Sequence, residues 1–277
     1  MSEWRLRGRS ILIVRSDNAR TIEVEGRRPV RSLIFLEDGR HLLSGGEDGI
    51  IRQWRVEDGR EVQDQRLTAS GDVYAIAVSS DGNWIVSIGL RVATVWNRRT
   101  RQIAHTVNGH TDWVYSTDVS PDSTRFATGS NDRRTFIWDI STGRQLVGPL
   151  EDGNSVSAAR FSPNGKRLAT TTTRELRIYN AHNGQLLRNI ATGPLYSTNP
   201  IAWSSDSQRI FSLSYNVIRH VYVDTGTVLS EWTIPGEAIN FFSIALPSNG
   251  PQIHRFFCWS FSLILGYFHA CADRTRL

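Results

Sequence analysis

Short segments in which apolar and polar residues alternate recur along the chain and are separated by turn sequences. Residues 73–78, 84–88, 92–96 and 167–171 are rich in β-branched and aromatic side chains. This composition and the period of two are typical of half-buried β-strands. The chain is therefore predicted to be all-β, with short strands joined by tight turns.

The predicted strands belong to a repeat of about 42 residues. An aromatic anchor recurs at spacings of 42, 42, 41 and 43 residues, at Trp54, Trp96, Trp138, Tyr179 and Tyr222. Turns rich in Asp, Asn, Ser and Gly precede the anchors at 37–39, 80–82, 121–123, 163–165 and 205–207. A second series of turns follows each anchor, so that each repeat predicts one four-stranded antiparallel sheet. A single sheet of this kind cannot bury both faces, whereas copies stacked radially can.

Three dipeptides of the third repeat resemble those of the WD-repeat β-propellers: Gly109-His110, Asn131-Asp132 and Trp138-Asp139. The other repeats keep the turns and the anchor but lose the Gly-His pair and, in most cases, the Asp after the anchor. The resemblance implies an all-β fold, a β-propeller of four-stranded antiparallel blades.

Within the third blade the resemblance implies a buried hydrogen-bonded network. His110 is expected to bind Asp132, and Trp138 with a hydroxyl of Thr128 or Ser130 completes the chain. A buried donor without an acceptor costs about 1–3 kcal/mol, so the network favours a structural clamp over a catalytic His-Asp-hydroxyl set. Its loss in the other repeats predicts less stable blades there.

The resemblance covers about residues 9–250. Repeat units are expected at about 30–72, 73–113, 114–155, 156–197 and 198–238, with partial blades at 9–29 and 239–250. If the two partial blades complete one another, the propeller has six blades. If residues 258–270 form further strands, a seventh position is half filled and the ring is incompletely closed. Residues 251–277 lack the turn and the anchor, which predicts an atypical apolar tail in a truncated or aberrantly ended family member.

The innermost strands predict a binding site at the mouth of the central channel. Each begins with an apolar residue expected to point into a blade (Val30, Val73, Val114 and Val156), so the residues beside these valines point toward the mouth. Exposed Trp, Tyr and Arg often carry interface energy, and propellers of the resembled family bind proteins or peptides there. The expected protein-binding residues are Pro29, Arg31, Asp72, Tyr74, Trp113 and Tyr115. The alternative is that Trp113 and Tyr115 only pack between neighbouring blades.

Charge adds a second candidate surface. The 277 residues include 32 basic and 27 acidic residues, a net charge of +5, and every basic residue except Lys166 is arginine. The turns on one face of the predicted propeller carry Arg40, Arg60, Arg98, Arg99, Arg101, Arg125, Arg144, Arg167 and Arg209. Interspersed acidic residues and the lack of interleaved aromatic residues favour a solvated face. The alternative is nucleic-acid or phosphoinositide binding through this Arg-rich face.

Motif searches give no indication of catalysis. The sequence contains no Gly-x-Gly-x-x-Gly, phosphate-binding loop, His-Glu-x-x-His, EF-hand or Gly-x-Ser-x-Gly pattern, so neither an enzyme nor a cofactor or metal site is expected. The interpretation is instead a non-catalytic scaffold for protein–protein interaction.

Two further features bear on where the chain acts. Cys258 and Cys271 provide no disulfide framework, and no secretory signal is recognised, which favours a cytoplasmic or nuclear protein. The uncharged segment 256–268 is shorter than the roughly 20 residues that span a bilayer. A membrane is therefore not expected as a partner.

Overall fold

The computed structural model describes the backbone of residues 2–7, 10–15, 18–23, 28–191, 201–214, 217–233, 241–245 and 255–258. Side chains are described for residues 28–191, 201–212 and 217–233. In these ranges the chain forms β-strands, with one short 3-10 helix at Gln63–Gln65. The all-β prediction is confirmed.

Five four-stranded antiparallel sheets follow one another along the chain as blades 1 to 5. Blade 1 contains β4 (Val30–Phe35), β5 (His41–Gly46), β6 (Ile50–Arg55) and β7 (Leu67–Thr68). Blade 2 contains β8 (Ala75–Val78), β9 (Trp84–Ile88), β10 (Val92–Asn97) and β11 (Gln102–Asn108). Blade 3 contains β12 (Val114–Val119), β13 (Arg125–Ser130), β14 (Arg134–Asp139) and β15 (Gln145–Glu151). Blade 4 contains β16 (Val156–Phe161), β17 (Arg167–Thr172), β18 (Glu175–Asn180) and β19 (Leu186–Ala191), and blade 5 contains β20 (Ile201–Trp203), β21 (Arg209–Ser214), β22 (Val217–Tyr222) and β23 (Thr227–Thr233).

Two smaller sheets flank these blades. The N-terminal sheet is formed by β1 (Ser2–Arg7), β2 (Ser10–Arg15) and β3 (Asn18–Glu23), so β1 adds a strand to the two that the pattern predicts. The C-terminal sheet pairs β24 (Phe241–Ala245) with β25 (Arg255–Cys258). Among the described strands, β1 lies beside β25, but no hydrogen-bonded ladder joins the two sheets. The result is an incompletely closed propeller in which the partial sheets do not merge into one shared blade. Residues 259–277, with Cys271 and most of segment 256–268, lie outside the described residues.

The hydrophobic core lies between the blades. Trp138 of blade 3 packs with Val86 and Ile88 of blade 2, and Trp96 of blade 2 packs with Leu43 and Ile51 of blade 1. These two anchors thus cover the face of the blade before them, which is how a stack of sheets buries surfaces that one sheet leaves open.

The fifth anchor is Val221, one residue before the predicted Tyr222. Arg209 pairs with Tyr222 as Arg167 pairs with Asn180, so Tyr222 occupies the register of the residue after an anchor. Val221 holds the anchor position and is fully buried in the core shared with blade 4. A shift of one residue exchanges the two faces of a strand, so the Tyr222 side chain points away from that core.

The predicted turns are confirmed, and two of them also connect blades. Ser123 and Ser207 end their turns with φ of 60° and 59°, in the left-handed region that Gly39, Gly82 and Gly165 occupy at the equivalent places. The Ser123 hydroxyl accepts a hydrogen bond from the Asp81 amide of blade 2 (3.1 Å), and the Ser207 hydroxyl accepts one from the Asn164 amide of blade 4 (3.1 Å). A glycine could make neither contact, which gives a physical reason for a side chain at these strained positions.

Candidate functional site

The inner edge of the blades presents short segments that begin at buried valines. Val30, Val73, Val114 and Val156 are all buried, as the pattern predicts. Hydrogen bonds tie these segments to the loops: the Val114 amide donates to the Leu90 carbonyl of blade 2 (3.1 Å) and the Asn131 amide donates to the Trp113 carbonyl (2.8 Å). The residues flanking the valines are therefore held in fixed positions.

Tyr74 of blade 2 and Trp113 of blade 3 meet across the blade boundary. Their ring centroids are 5.1 Å apart and their planes are inclined by 47°. The Tyr74 hydroxyl donates to Asp72 Oδ2 at 3.3 Å. Burial, followed by the nearby Asp72 carboxylate, raises the pKa of Tyr74 above its ordinary value. The rings form a fixed aromatic pair with a carboxylate at its edge.

Trp113 and Tyr115 are each 38% exposed, although Trp113 also packs on Tyr74. The two alternatives for Trp113 are thus not exclusive, since one part of the ring fills the blade boundary and the rest faces solvent. Burial, followed by the charge of Asp112, raises the pKa of Tyr115. Tyr115 therefore lies close to the same carboxylate that precedes Trp113 in the chain.

Asp112 is a member of this site that the sequence reasoning missed. Its carboxylate accepts hydrogen bonds from the Trp113 amide (2.8 Å) and from Asn131 Nδ2 (2.7 Å), and these bonds lower its pKa. Its position directly before Trp113 was the available signal, because an Asp in a loop commonly binds nearby backbone amides. We call Asp72, Tyr74, Asp112, Trp113 and Tyr115 the mouth patch.

Arg31 and Pro29 lie at the edge of the mouth patch, in blade 1. Arg31 Nε donates to Glu47 Oε1 at 2.9 Å, and Glu47 in turn donates its amide to the Pro29 carbonyl (3.1 Å). Both Glu47 and Arg31 influence the pKa of Tyr74, which places this ion pair near the aromatic rings. Direct contacts or electrostatic interactions thus connect five of the six predicted residues to the mouth patch: Arg31, Asp72, Tyr74, Trp113 and Tyr115. Pro29 is connected through its backbone carbonyl.

The third blade contains the hydrogen-bonded chain that the resemblance implies. Trp138 Nε1 donates to Thr128 Oγ1 (2.9 Å), His110 Nε2 lies 2.8 Å from the same oxygen, and His110 Nδ1 lies 2.9 Å from Asp132 Oδ2. Because an indole nitrogen can only donate, the Thr128 hydroxyl donates onward to Nε2 and the Nδ1 proton goes to Asp132. Ser130 is not in this chain; its hydroxyl donates to the Trp113 carbonyl at 2.8 Å instead.

This arrangement occupies both ring nitrogens of His110. The His110 and Asp132 side chains are each 3% exposed, and burial lowers the pKa of His110 although Asp132 opposes the shift. A neutral imidazole with both nitrogens engaged inside a blade has the geometry of a structural clamp.

Within the described residues, blades 1 and 2 keep the indole–hydroxyl bond of this chain without a His-Asp pair attached to it. Trp54 Nε1 donates to Ser44 Oγ and Trp96 Nε1 to Ser87 Oγ, both at 2.8 Å. Blade 4 places the buried Asp152 at the repeat position of His110, 42 residues later. Its carboxylate accepts hydroxyl hydrogen bonds from Thr135 (2.7 Å), Thr170 (2.6 Å) and Tyr179 (2.9 Å).

The nine arginines of the predicted basic face divide into two groups. Four are engaged in the fold: Arg98 donates to the Gly82 carbonyl, Arg167 pairs with Asp224, Arg209 with Asp206, and the buried Arg125 bonds to carbonyl oxygens of blade 4. The five exposed ones are Arg40, Arg60, Arg99, Arg101 and Arg144. Arg125 is therefore wrongly assigned to a solvent-facing surface, because it bridges two blades.

Metal-ligand groups and membrane-spanning helices are the remaining features considered for the part of the chain that the structure describes. Within that part of the chain, no three His, Cys, Asp or Glu side chains are grouped as ligands of a metal ion would be. Nor does any helix there have the length and apolar character needed to cross a bilayer.

Comparison with known protein families matches three segments. The family model of the WD domain, G-beta repeat, matches residues 19–55, 62–97 and 101–139. Each match begins near an outer strand (β3, β7 and β11) and continues through the first three strands of the next blade. The repeat of the sequence is thus offset from the blade of the structure by one strand, so every repeat ties two consecutive sheets together.

Proposed function

This chain belongs to the WD-repeat family, and we propose that it is a non-catalytic scaffold that binds a protein partner through the mouth patch. WD repeats generally mediate protein–protein interaction. The mouth patch is the surface at which we propose that this partner binds.

The observation that carries the proposal is the Tyr74–Trp113 pair. Large rigid aromatic side chains that remain partly exposed supply contact area at low entropic cost, and Trp and Tyr are enriched among residues that dominate binding energy. Here the pair is fixed by cross-blade packing, and Asp112 holds the backbone of Trp113. A partner would meet a surface that is already ordered.

The non-catalytic part of the proposal is supported by how the buried His-Asp pair of blade 3 is used. WD-repeat proteins are typically non-catalytic scaffolds. The His110–Asp132 pair is buried and committed to Thr128 and Trp138. A general base must reach the proton that it abstracts, and this imidazole faces the blade interior.

Binding of nucleic acid or phosphoinositide through the Arg-rich face is the competing proposal. Arg98, Arg125, Arg167 and Arg209 are engaged within the fold, and the exposed Arg60 lies 4.0 Å from Asp58. Fewer guanidinium groups are therefore available to a phosphate than the sequence suggests. We therefore favour the mouth patch.

A site-specific photocrosslinking experiment tests the proposal. A benzophenone amino acid is placed at Tyr115 in the full chain, and for comparison at Ile103, an exposed residue of outer strand β11. We expect a discrete protein adduct from position 115 that disappears when Trp113→Ala is added, and no such adduct from position 103. Equal adducts from both positions, or adducts unaffected by Trp113→Ala, would contradict the proposed site.

A further inference from the structure

We infer that the mouth patch recognises a positively charged side chain, arginine or lysine, presented by a flexible segment of the partner. This inference rests on the proposed function and goes further, because it assigns the chemistry of the residue that the patch receives. It follows from the combination of aromatic faces and carboxylates at one place.

The aromatic part of the patch attracts cations. The face of an aromatic ring carries negative charge density, and Trp binds cations best among the aromatic side chains. Trp113 is 38% exposed, and its plane is inclined to that of Tyr74 by 47°, so the two rings diverge instead of stacking flat. A flexible side chain with a cationic tip can therefore lie against Trp113 while its stem contacts apolar ring surface.

The next feature of the patch is how its carboxylates are bonded to the described residues. Asp72 accepts a hydrogen bond from the Tyr74 hydroxyl, and Asp112 accepts hydrogen bonds from the Trp113 backbone amide and the Asn131 side-chain amide. Among the described residues, neither carboxylate forms an ion pair with Arg, Lys or His. Each can therefore accept further hydrogen bonds from a charged donor.

Arg31 and Arg91 act electrostatically on groups of the patch but do not neutralise its charge. Arg31 is paired with Glu47 in blade 1, so that these two charges cancel. Arg91 is exposed and acts on Asp112 only at a distance that leaves no ion pair. The sum over Glu47, Asp72, Asp112, Arg31 and Arg91 is one negative charge, on a protein whose net charge is +5.

The negative charge of the patch, on a protein of positive net charge, is what selects a cationic ligand. An anionic peptide or a phosphate would meet uncompensated carboxylates and negative ring faces. A neutral side chain would leave the Asp72 carboxylate without the charge-assisted hydrogen bond that a cation supplies. A guanidinium is suited to both parts, because it is planar enough to stack on Trp113 and donates several N–H groups at its edge.

Fluorescence-polarisation titrations with defined peptides test the inference on the full chain. The probes are labelled flexible decapeptides, rich in Gly, Ser and Ala, that carry two central Arg, two central Lys or two central Gln residues. They are titrated against the unmodified protein, Asp72→Asn and Trp113→Ala, with Glu37→Gln as a matched carboxylate control in a turn of the opposite face. Circular dichroism and thermal unfolding verify that each variant is folded.

We expect the Arg peptide to bind about tenfold or more tightly than the Gln peptide, with Lys between them. Asp72→Asn and Trp113→Ala should each weaken Arg-peptide binding about tenfold, whereas Glu37→Gln should leave it unchanged. Equal affinities for all three peptides, or an Arg affinity that Asp72→Asn does not alter, would overturn the inference.

Two further outcomes identify other occupants. If the protein alone self-associates in sedimentation and Trp113→Ala abolishes this, the occupant is a second copy of the chain and the inference is wrong. If the photocrosslinked partner binds at position 115 but its affinity is indifferent to Asp72→Asn and to replacement of its basic residues, the proposed function stands and the cationic inference fails. If no partner crosslinks at position 115, the proposed function itself fails.

Discussion

The Arg125 guanidinium of blade 3 donates to the Ala181 carbonyl of blade 4 across 3.0 Å, and its second terminal nitrogen donates to the Gly165 carbonyl across 3.1 Å. The same group lies 5.6 Å from the centre of the Phe161 ring. One side chain thus satisfies two backbone acceptors of a neighbouring sheet. A lysine ammonium is a point charge that cannot present this fork. Contacts of this kind give a physical reason for part of the strong preference for arginine over lysine in the chain.

Arg125→Lys is expected to lower the free energy of unfolding by about 1–3 kcal/mol, because at least one buried carbonyl loses its donor. Urea denaturation followed by tryptophan fluorescence measures the change. Arg144→Lys is the matched control, since Arg144 is exposed, and should change stability by no more than about 0.5 kcal/mol. Equal effects of the two substitutions would show that the interblade contact contributes nothing.

Thr128→Val is expected to destabilise the third blade by about 1–3 kcal/mol. Valine keeps the shape of threonine but removes the oxygen that receives the Trp138 indole proton and binds His110. Thermal and urea unfolding measure the loss, and Thr106→Val in outer strand β11, where the residue is exposed, is the control. A neutral Thr128→Val substitution would mean that the hydrogen-bonded chain is not a stabilising clamp.

The pH dependence of stability should contain a contribution from His110. Burial lowers its pKa in the folded state below the ordinary value of 6.5, so the unfolded chain takes up the proton more readily. Stability from this residue is therefore complete above about pH 6.5 and is lost as the pH falls toward the folded-state pKa, with a slope of at most about 1.4 kcal/mol per pH unit. Urea unfolding of the parent chain and of His110→Gln over this range checks the sign. His220, whose pKa is also lowered, is present in both and cancels in the difference.

If the parent chain and His110→Gln lose stability in parallel as the pH falls from about 7.5 to about 5, His110 does not titrate as the structure indicates. A steeper loss in the variant would contradict the direction of the pKa shift. A flatter curve in the variant is the expected result.

The repeat could be predicted from the sequence because turn chemistry and strand period are local properties. The turns that end at Gly39, Ser123 and Ser207 lie where the pattern of Asp, Asn, Ser and Gly placed them. The local pattern does not distinguish Val221 from Tyr222 as the fifth anchor, because both residue types suit a strand. Only pairing with Arg209 decides which of them faces the core.

Hydrogen-bond partners that lie in a different blade could not be predicted from the sequence. Asp152 stands at a repeat position where the third blade has His110, but its three hydroxyl partners come from two different blades. Arg125 lies next to a turn, a position that is typical of surface charges, but its hydrogen-bond acceptors include carbonyl oxygens of blade 4. Most residues of the mouth patch could be predicted, because strand alternation places Tyr74 and Trp113 on the side opposite to the buried valines. Asp112 was missed because a loop residue has no such period.

The measurement that tests the central claim most directly is a binding titration of the partner crosslinked at position 115. It compares the full chain, Trp113→Ala combined with Tyr115→Ala, and Arg99→Ala combined with Arg101→Ala, each at about 50 mM and about 300 mM salt. We expect the aromatic pair of substitutions to weaken binding about tenfold or more, the arginine pair to leave it unchanged, and salt to alter it less than about tenfold. Binding that survives loss of Trp113 and Tyr115 but falls steeply with salt and with loss of the arginines would contradict the account.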